Sequence, residues 1–226
     1  MTSIHKPVDI MGLARQHIAR LHELWQAVSP EFGYYPTYQD VNSKSVALIR
    51  QLEQLRSMRV LDIGCNSGLY SCLAATTATS VLGCDVEPVL IERARTAAGH
   101  FAPIIGKDNI EFRLGSFTEV LDRPFDAVVA SLVLYHVGDA ALDALAQYLK
   151  THKPLVILQA RPERAKAFLA NPEWRTVSTT TRYSGMYTVE SNLEFLRDCG
   201  YENASLHGMT STLFHGEYFP IVVARA

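Results

Sequence analysis

The sequence has little of what marks several large functional classes. Only four cysteines occur in 226 residues, Cys65, Cys72, Cys84 and Cys199, and no two form a CxxC pair. Zinc-ribbon and thioredoxin-like chemistry lack their spacing, and no three-cysteine cluster offers an iron–sulfur centre. Scattered residues of this kind suit free thiols better than disulfides. No histidine pair shows an HxxxH spacing, so no metal site is expected. The formal net charge of −2 gives no basic field for capturing nucleic acid. The N-terminus, "MTSIHKPVDIMGLARQHIARL", lacks the basic start and apolar core of a secretory signal. No apolar run approaches the ~20 residues of a membrane helix. A cytoplasmic protein without membrane contact is expected. Internal repeats and low-complexity linkers are also missing.

What is present is a globular balance, nearly half apolar and about a fifth charged. The length suits one domain with an added cap. From Asp9, a plausible N-cap, the residues Met11, Ala14, Ile18, Leu21, Trp25 and Val28 recur at steps of three and four. They predict an amphipathic helix. Its stripe either covers the domain, the preferred expectation, or pairs two subunits as a homodimer. After the aromatic stretch "SPEFGYYPTYQDVNS", a second helix uses Val46, Ile49, Leu52 and Leu55.

Strand and helix signals then alternate. Strands are expected at Val60–Ile63, Val81–Asp85, Ile110–Leu114, Ala127–Ser131 and Leu155–Gln159, with helices after Gly68, at Val89–Ala98 and at Ala140–Leu149. Consecutive apolar residues in strands separated by helices mean a parallel sheet buried on both faces. The ending differs: helix "TVESNLEFLRDCG" precedes "ASLHGM" and "YFPIVVARA", whose short connection predicts an antiparallel pair. The expected fold is α/β, a Rossmann-like doubly wound, mainly parallel seven-stranded sheet with an antiparallel C-terminal strand. The single domain divides into an N-terminal helical cap (1–57), a cofactor-binding core (58–159), a substrate cap (160–187) and a C-terminal helix with antiparallel strands (188–226).

The stretch "RVLDIGCNSGLYS" passes from strand through a turn to helix, and ligands of open α/β sheets bind beyond the carboxyl ends of strands. Gly64 and Gly68 free the backbone. Asn66 is the non-glycine residue most at ease with positive φ, so it can replace a glycine there. Asp85 ends the next strand, where a carboxylate can accept hydrogen bonds from ribose hydroxyls. A nucleoside-containing cofactor follows. The dinucleotide fingerprint wants a third glycine for pyrophosphate, and that position is Leu69. Asp62 beside the turn favours a cationic ligand.

"VLDIGCNSGLYS", "VLGCDVEPVLIERAR", "NIEFRLGSF" and "PFDAVVASLVLYHV", in this order and spacing, resemble the class I S-adenosylmethionine-dependent methyltransferases. The resemblance covers Arg59 to Gln159. It implies S-adenosylmethionine as donor and S-adenosylhomocysteine as product. It places the backbone around Gly64, Cys65, Asn66 and Gly68 along the methionine part, with Asp62 near its amino group. It gives Asp85 the ribose hydroxyls and Val86 the adenine face. Ser116 falls where the family often has an acidic residue on the adenine amino group, followed by an apolar one, here Phe117; the serine is a departure. Ser131 and Leu132 should lie beside the transferring methyl. "GCNSG" is similar to the carboxymethyl-transferring enzymes of the tRNA wobble uridine, in this loop alone.

Methyl transfer is an in-line displacement, for which a protein chiefly supplies alignment and a dry pocket. A base helps when the acceptor is a hydroxyl. His136, just past the fourth strand, is the candidate; capping or packing of the following helix is the competing role, weighed slightly ahead of it. Tyr135 beside it is expected to pack, with a substrate contact as the second possibility. Tyr34, Tyr35 and Tyr38 precede the second helix in a region that often closes over the cofactor in this superfamily. Tyr38 is a cofactor candidate and Tyr35 a substrate candidate. Trp174, Arg182, Tyr183 and Tyr187 are the best substrate contacts of the cap. Arg161, Arg164 and Lys166 suit an acidic acceptor or a solvated helix face equally. Cys65 is expected to be structural.

The preferred expectation is methylation of O, N or C on a small-molecule acceptor. The alternatives are a tRNA-modifying methyl- or carboxymethyl-transferase, opposed by the charge balance, and a catalytically silent cofactor-binding module. A nicotinamide dehydrogenase is weaker, for want of the third glycine.

Overall fold

The computed structural model describes residues 48, 50–160, 179–210 and 218–226. The expected Asp9–Val28 helix, the tyrosines at 34, 35 and 38, Val46, Ile49, and the cap residues Arg161, Arg164, Lys166 and Trp174 lie outside the described residues. Of the second helix, Leu52 and Leu55 are fully buried, and so is Leu48.

Along the chain come β1 (Arg59–Ile63), α1 (Leu69–Ala75), β2 (Ser80–Asp85), α2 (Pro88–Ile105), β3 (Ile110–Leu114), β4 (Ala127–Ser131), α3 (Asp139–His152), β5 (Leu155–Gln159), α4 (Val189–Asp198), β6 (Asn203–Thr210) and β7 (Tyr218–Arg225). Seven strands form one sheet in the order β3-β2-β1-β4-β5-β7-β6. The first five pair in parallel, and β7 runs antiparallel to both β5 and β6. This is the mainly parallel, doubly wound sheet expected from the sequence.

The period-two geometry of a strand sends alternate side chains to opposite faces. Val60, Val81, Val129 and Ile157 face one core, shared with Cys72, Ile91, Ala94 and Phe101 of α1 and α2. Leu61, Ile63, Val128 and Leu158 face the other, shared with Leu145, Leu149, Phe195 and Leu196 of α3 and α4. In the central strands β4 and β5 both faces are apolar, so their sequences read as apolar runs closed by one polar residue.

Helix α2 extends past the expected Ala98 to Ile105. Gly99 and Pro103 oppose that extension, since both are poor helix formers. Phe101, 1% exposed, offsets part of that cost by burying its ring in the first core, a gain of about 1.5–3 kcal/mol. Gly106 ends the helix in a left-handed cap.

Strand β1 pairs with β2 on one side and β4 on the other. The chain leaves those neighbours toward opposite faces, so a crevice opens at the carboxyl ends of β1 and β4. The loops after β1, β2 and β4 meet there.

Candidate functional site

The loop after β1 is held in left-handed conformations at three positions. Gly64 has φ +65, Asn66 φ +52 and Gly68 φ +80, so Asn66 takes the backbone role a glycine would have. Its Oδ1 accepts from Ser67 N at 2.7 Å and Ser67 Oγ at 3.0 Å, the local bonding that makes asparagine tolerant of this region. Gly68 N–H donates to Cys65 O at 2.9 Å, closing the turn. At Gly64 space matters as much as φ: a Cβ there would lie 2.3 Å from Val133 Cγ2. The β1 loop therefore touches the segment that follows β4.

Strand β2 supplies the acidic partner. Asp85 Oδ2 accepts from Asn66 N at 2.9 Å and Oδ1 from Glu87 N at 3.1 Å. A carboxylate has about four acceptor positions, so two remain for hydroxyl donors on this half-buried side chain. Val86 beside it is 72% exposed, an apolar platform at the mouth of the crevice. This pair fits a nucleoside: an acceptor for a diol next to an apolar surface for a base.

Asp62 sits beneath the loop, 2% exposed. Ser71 Oγ of α1 donates to its Oδ2 at 2.5 Å. Burial pushes this carboxyl up to about 7; the Ser71 bond opposes the shift and the Asp85 charge adds to it. The four cysteines are free and buried. Burial pushes the Cys72 and Cys84 thiols up to about 12 and the Cys65 thiol higher still. A thiol of this kind is no nucleophile at neutral pH.

Past β3, Ser116 is an N-cap: its Oγ accepts from Thr118 N at 3.2 Å, while Glu119 Oε1 accepts from Ser116 N at 3.1 Å. This capping box opens the turn Phe117–Val120. Phe117 is 6% exposed and packs in the second core.

The end of β4 carries Ser131 and Leu132. Ser131 Oγ donates to Gln159 Oε1 at 2.5 Å, and Leu132 N donates to Gln159 O at 3.1 Å. Leu132 has φ +54, a left-handed conformation that costs a non-glycine residue roughly 1–2 kcal/mol. The chain then makes the turn Leu134–His136. His136 is exposed, and its N–H donates to Val133 O at 2.8 Å. His136 thus sits one turn from the residue that touches Gly64. Its ring lies 4.2 Å from that of Tyr135, and Tyr135 stacks on Tyr187 at 5.3 Å. Both tyrosines are buried.

Residues 179–187 return to this corner. Thr179 N donates to Tyr135 O at 3.1 Å. Asp139, the first residue of α3, accepts from Thr180 Oγ1 at 2.5 Å, Thr181 Oγ1 at 2.7 Å and Thr181 N at 3.0 Å. Arg182 pairs with Asp143, and Tyr183 donates to Asp198 at 2.7 Å. Of the residues expected at the substrate, Arg182 and Tyr183 are thereby tied to α3 and α4, and Tyr187 stacks on Tyr135 next to His136. Sequence reasoning missed Gln159 and Asp139. A polar residue closing the apolar run "LVILQ" was the one available signal for the first. Among the described residues no group of acidic, cysteine and histidine side chains could hold a metal ion. No described helix is long and apolar enough to cross a membrane.

A family model for a methyltransferase domain matches residues 60–154. The ubiquinone biosynthesis O-methyltransferase of Homo sapiens mitochondria is 33% identical over 164 residues, covering 65% of this chain and 42% of that protein. The Bos taurus protein named "Probable tRNA methyltransferase 9B" is 30% identical over 126 residues, 55% of this chain and 23% of its own length. The chain therefore spans less than half of these relatives. Magnesium protoporphyrin IX methyltransferase from Synechocystis, solved with bound S-adenosylhomocysteine, superposes with a TM-score of 0.60 at 16% identity, covering 96% of this chain and all of that one.

Proposed function

Because the chain belongs to the class I S-adenosylmethionine-dependent methyltransferases, we propose that it moves a methyl group from S-adenosylmethionine to a hydroxyl oxygen of a small molecule. The observation that carries this reading is the left-handed Gly64–Asn66–Gly68 loop latched to Asp85, with exposed Val86 beside it. Asp85 would take the ribose diol, Val86 the adenine, and the backbone of the loop the methionine part. S-adenosylmethionine, when bound, supplies a methyl group on a positively charged sulfur. The residues past β4 align the acceptor, and His136 takes the proton that its hydroxyl loses as the C–O bond forms. The named O-methyltransferase relative supports oxygen as the reacting atom. Four buried, unpaired thiols suit a reducing compartment, and we place the protein in the cytoplasm.

S-adenosylhomocysteine at 100 times its Kd should stabilise the protein by about 2.7 kcal/mol, raising its melting temperature, whereas NAD should not. The opposite result would sink the assignment. Methyl transfer to a panel of small phenols and alcohols, followed by mass spectrometry, tests the acceptor class. A second reading, tRNA modification, is favoured by the "GCNSG" loop and the tRNA-methyltransferase relative, and opposed by the net charge of −2. Tight RNA binding with a steep salt dependence would establish it.

A further inference from the structure

Gln159 ends β5 with a side chain only 4% exposed, in a strand otherwise filled by Leu155, Val156, Ile157 and Leu158. A buried amide at the rim of an apolar sheet is costly unless its hydrogen bonds are made. It faces a stretch near the site whose backbone is held in a sparsely populated region, at Leu132. Such strain persists only where the surroundings over-determine it. Two bonds from one residue do so here: Gln159 Oε1 accepts from Ser131 Oγ at 2.5 Å, and Gln159 O accepts from Leu132 N at 3.1 Å. The chain that leaves this clamp reaches Val133, against Gly64, and then His136.

We propose that Gln159 is a positioning residue. Through Ser131 and Leu132 it sets the course of the chain after β4, and so the placement of His136 on the acceptor side. This rests on the methyltransferase reading for its effect on turnover, while its structural content stands apart from that reading.

The test compares Gln159→Met, Ser131→Ala and the double variant. Gln159→Met strands the half-buried Ser131 hydroxyl, whereas the double variant removes both members of that hydrogen bond. Positioning predicts that Gln159→Met lowers kcat with a phenolic acceptor about tenfold or more, with S-adenosylhomocysteine Kd within about twofold of wild type. The double variant should then recover melting temperature without recovering kcat. If kcat returns with melting temperature, Gln159 is merely structural and the proposal fails. A parallel loss of S-adenosylhomocysteine affinity also overturns it, by making Gln159 part of the donor site. Amide exchange provides an arm independent of catalysis: Leu132 and His136 should exchange faster in Gln159→Met, and unchanged protection refutes the clamp even if the wild type transfers no methyl group. Should Gln159→Met not fold, Ser131→Ala alone carries the same exchange readout.

Discussion

Asp62 illustrates how far one buried group can couple folding, binding and pH. Its carboxyl is held near 7 by burial, with the Ser71 bond pulling the other way. In the unfolded chain the same group titrates at about 3.9. Between these values the native state keeps a proton that the unfolded state releases, so Asp62 lowers stability progressively as pH rises from about 4 to about 7. Asp62→Asn keeps an acceptor for Ser71 and removes that slope. Urea unfolding at pH 5 and pH 7.5 should show the variant gaining on wild type at the higher pH. A cation at the loop would also draw the proton off Asp62. S-adenosylhomocysteine binding should therefore strengthen with pH through about 7, with proton release in calorimetry; a flat profile would confine Asp62 to supporting α1. Asp85→Ala removes the latch on Asn66 together with the proposed diol acceptor, and should weaken S-adenosylhomocysteine at least tenfold in titration calorimetry.

At the scale of elements, the segment 179–187 is strapped to the first turn of α3 by Asp139. Bonds from Thr180 and Thr181 hold the Asp139 carboxyl well below the ordinary range, at about 2. A depressed carboxyl contributes stability that is present above its unfolded value near 3.9 and lost as pH falls through about 2. Asp139→Ala should speed amide exchange of Thr181 and Arg182 at neutral pH; full protection in the variant would show that the strap holds without the carboxylate. The elements themselves were largely legible beforehand. The bounds of β4 and β5 coincide with their apolar runs because a strand buried on both faces takes apolar side chains along nearly its whole length. The short turns Phe117–Val120 and Leu134–His136 were not legible, since three or four residues carry no period. The Ser131–Gln159 and Asp139–Thr180 pairs lie 28 and 41 positions apart, and local pattern holds no record of such contacts. The left-handed turn after β1 and its acidic partner Asp85 were legible because their constraint is local: an asparagine between two glycines and an acidic residue one strand later.

At the scale of the molecule, the sheet joins two cores that have to form together. Val222 of β7 is fully buried in the second core and pairs with Leu158 of β5 and Leu206 of β6. Val222→Asp puts an unpaired charge there, a change of the class that costs several kcal/mol. It should abolish cooperative unfolding and the soluble peak in size-exclusion chromatography. Ile221→Val, in the same strand but retaining apolar character, should cost only about 0.5–1.5 kcal/mol.

The position of β7 also bears on how the protein is made. It follows every other described strand in sequence, yet lies inside the sheet, between β5 and β6. A nascent chain that has already assembled its parallel strands therefore presents the bare edge of β5 to its surroundings until β7 leaves the ribosome. An unpaired edge of that kind is a template for pairing with neighbouring chains. Translation speed over the codons between β5 and β7 and chaperone supply should thus govern soluble yield more strongly than the stability of the finished fold.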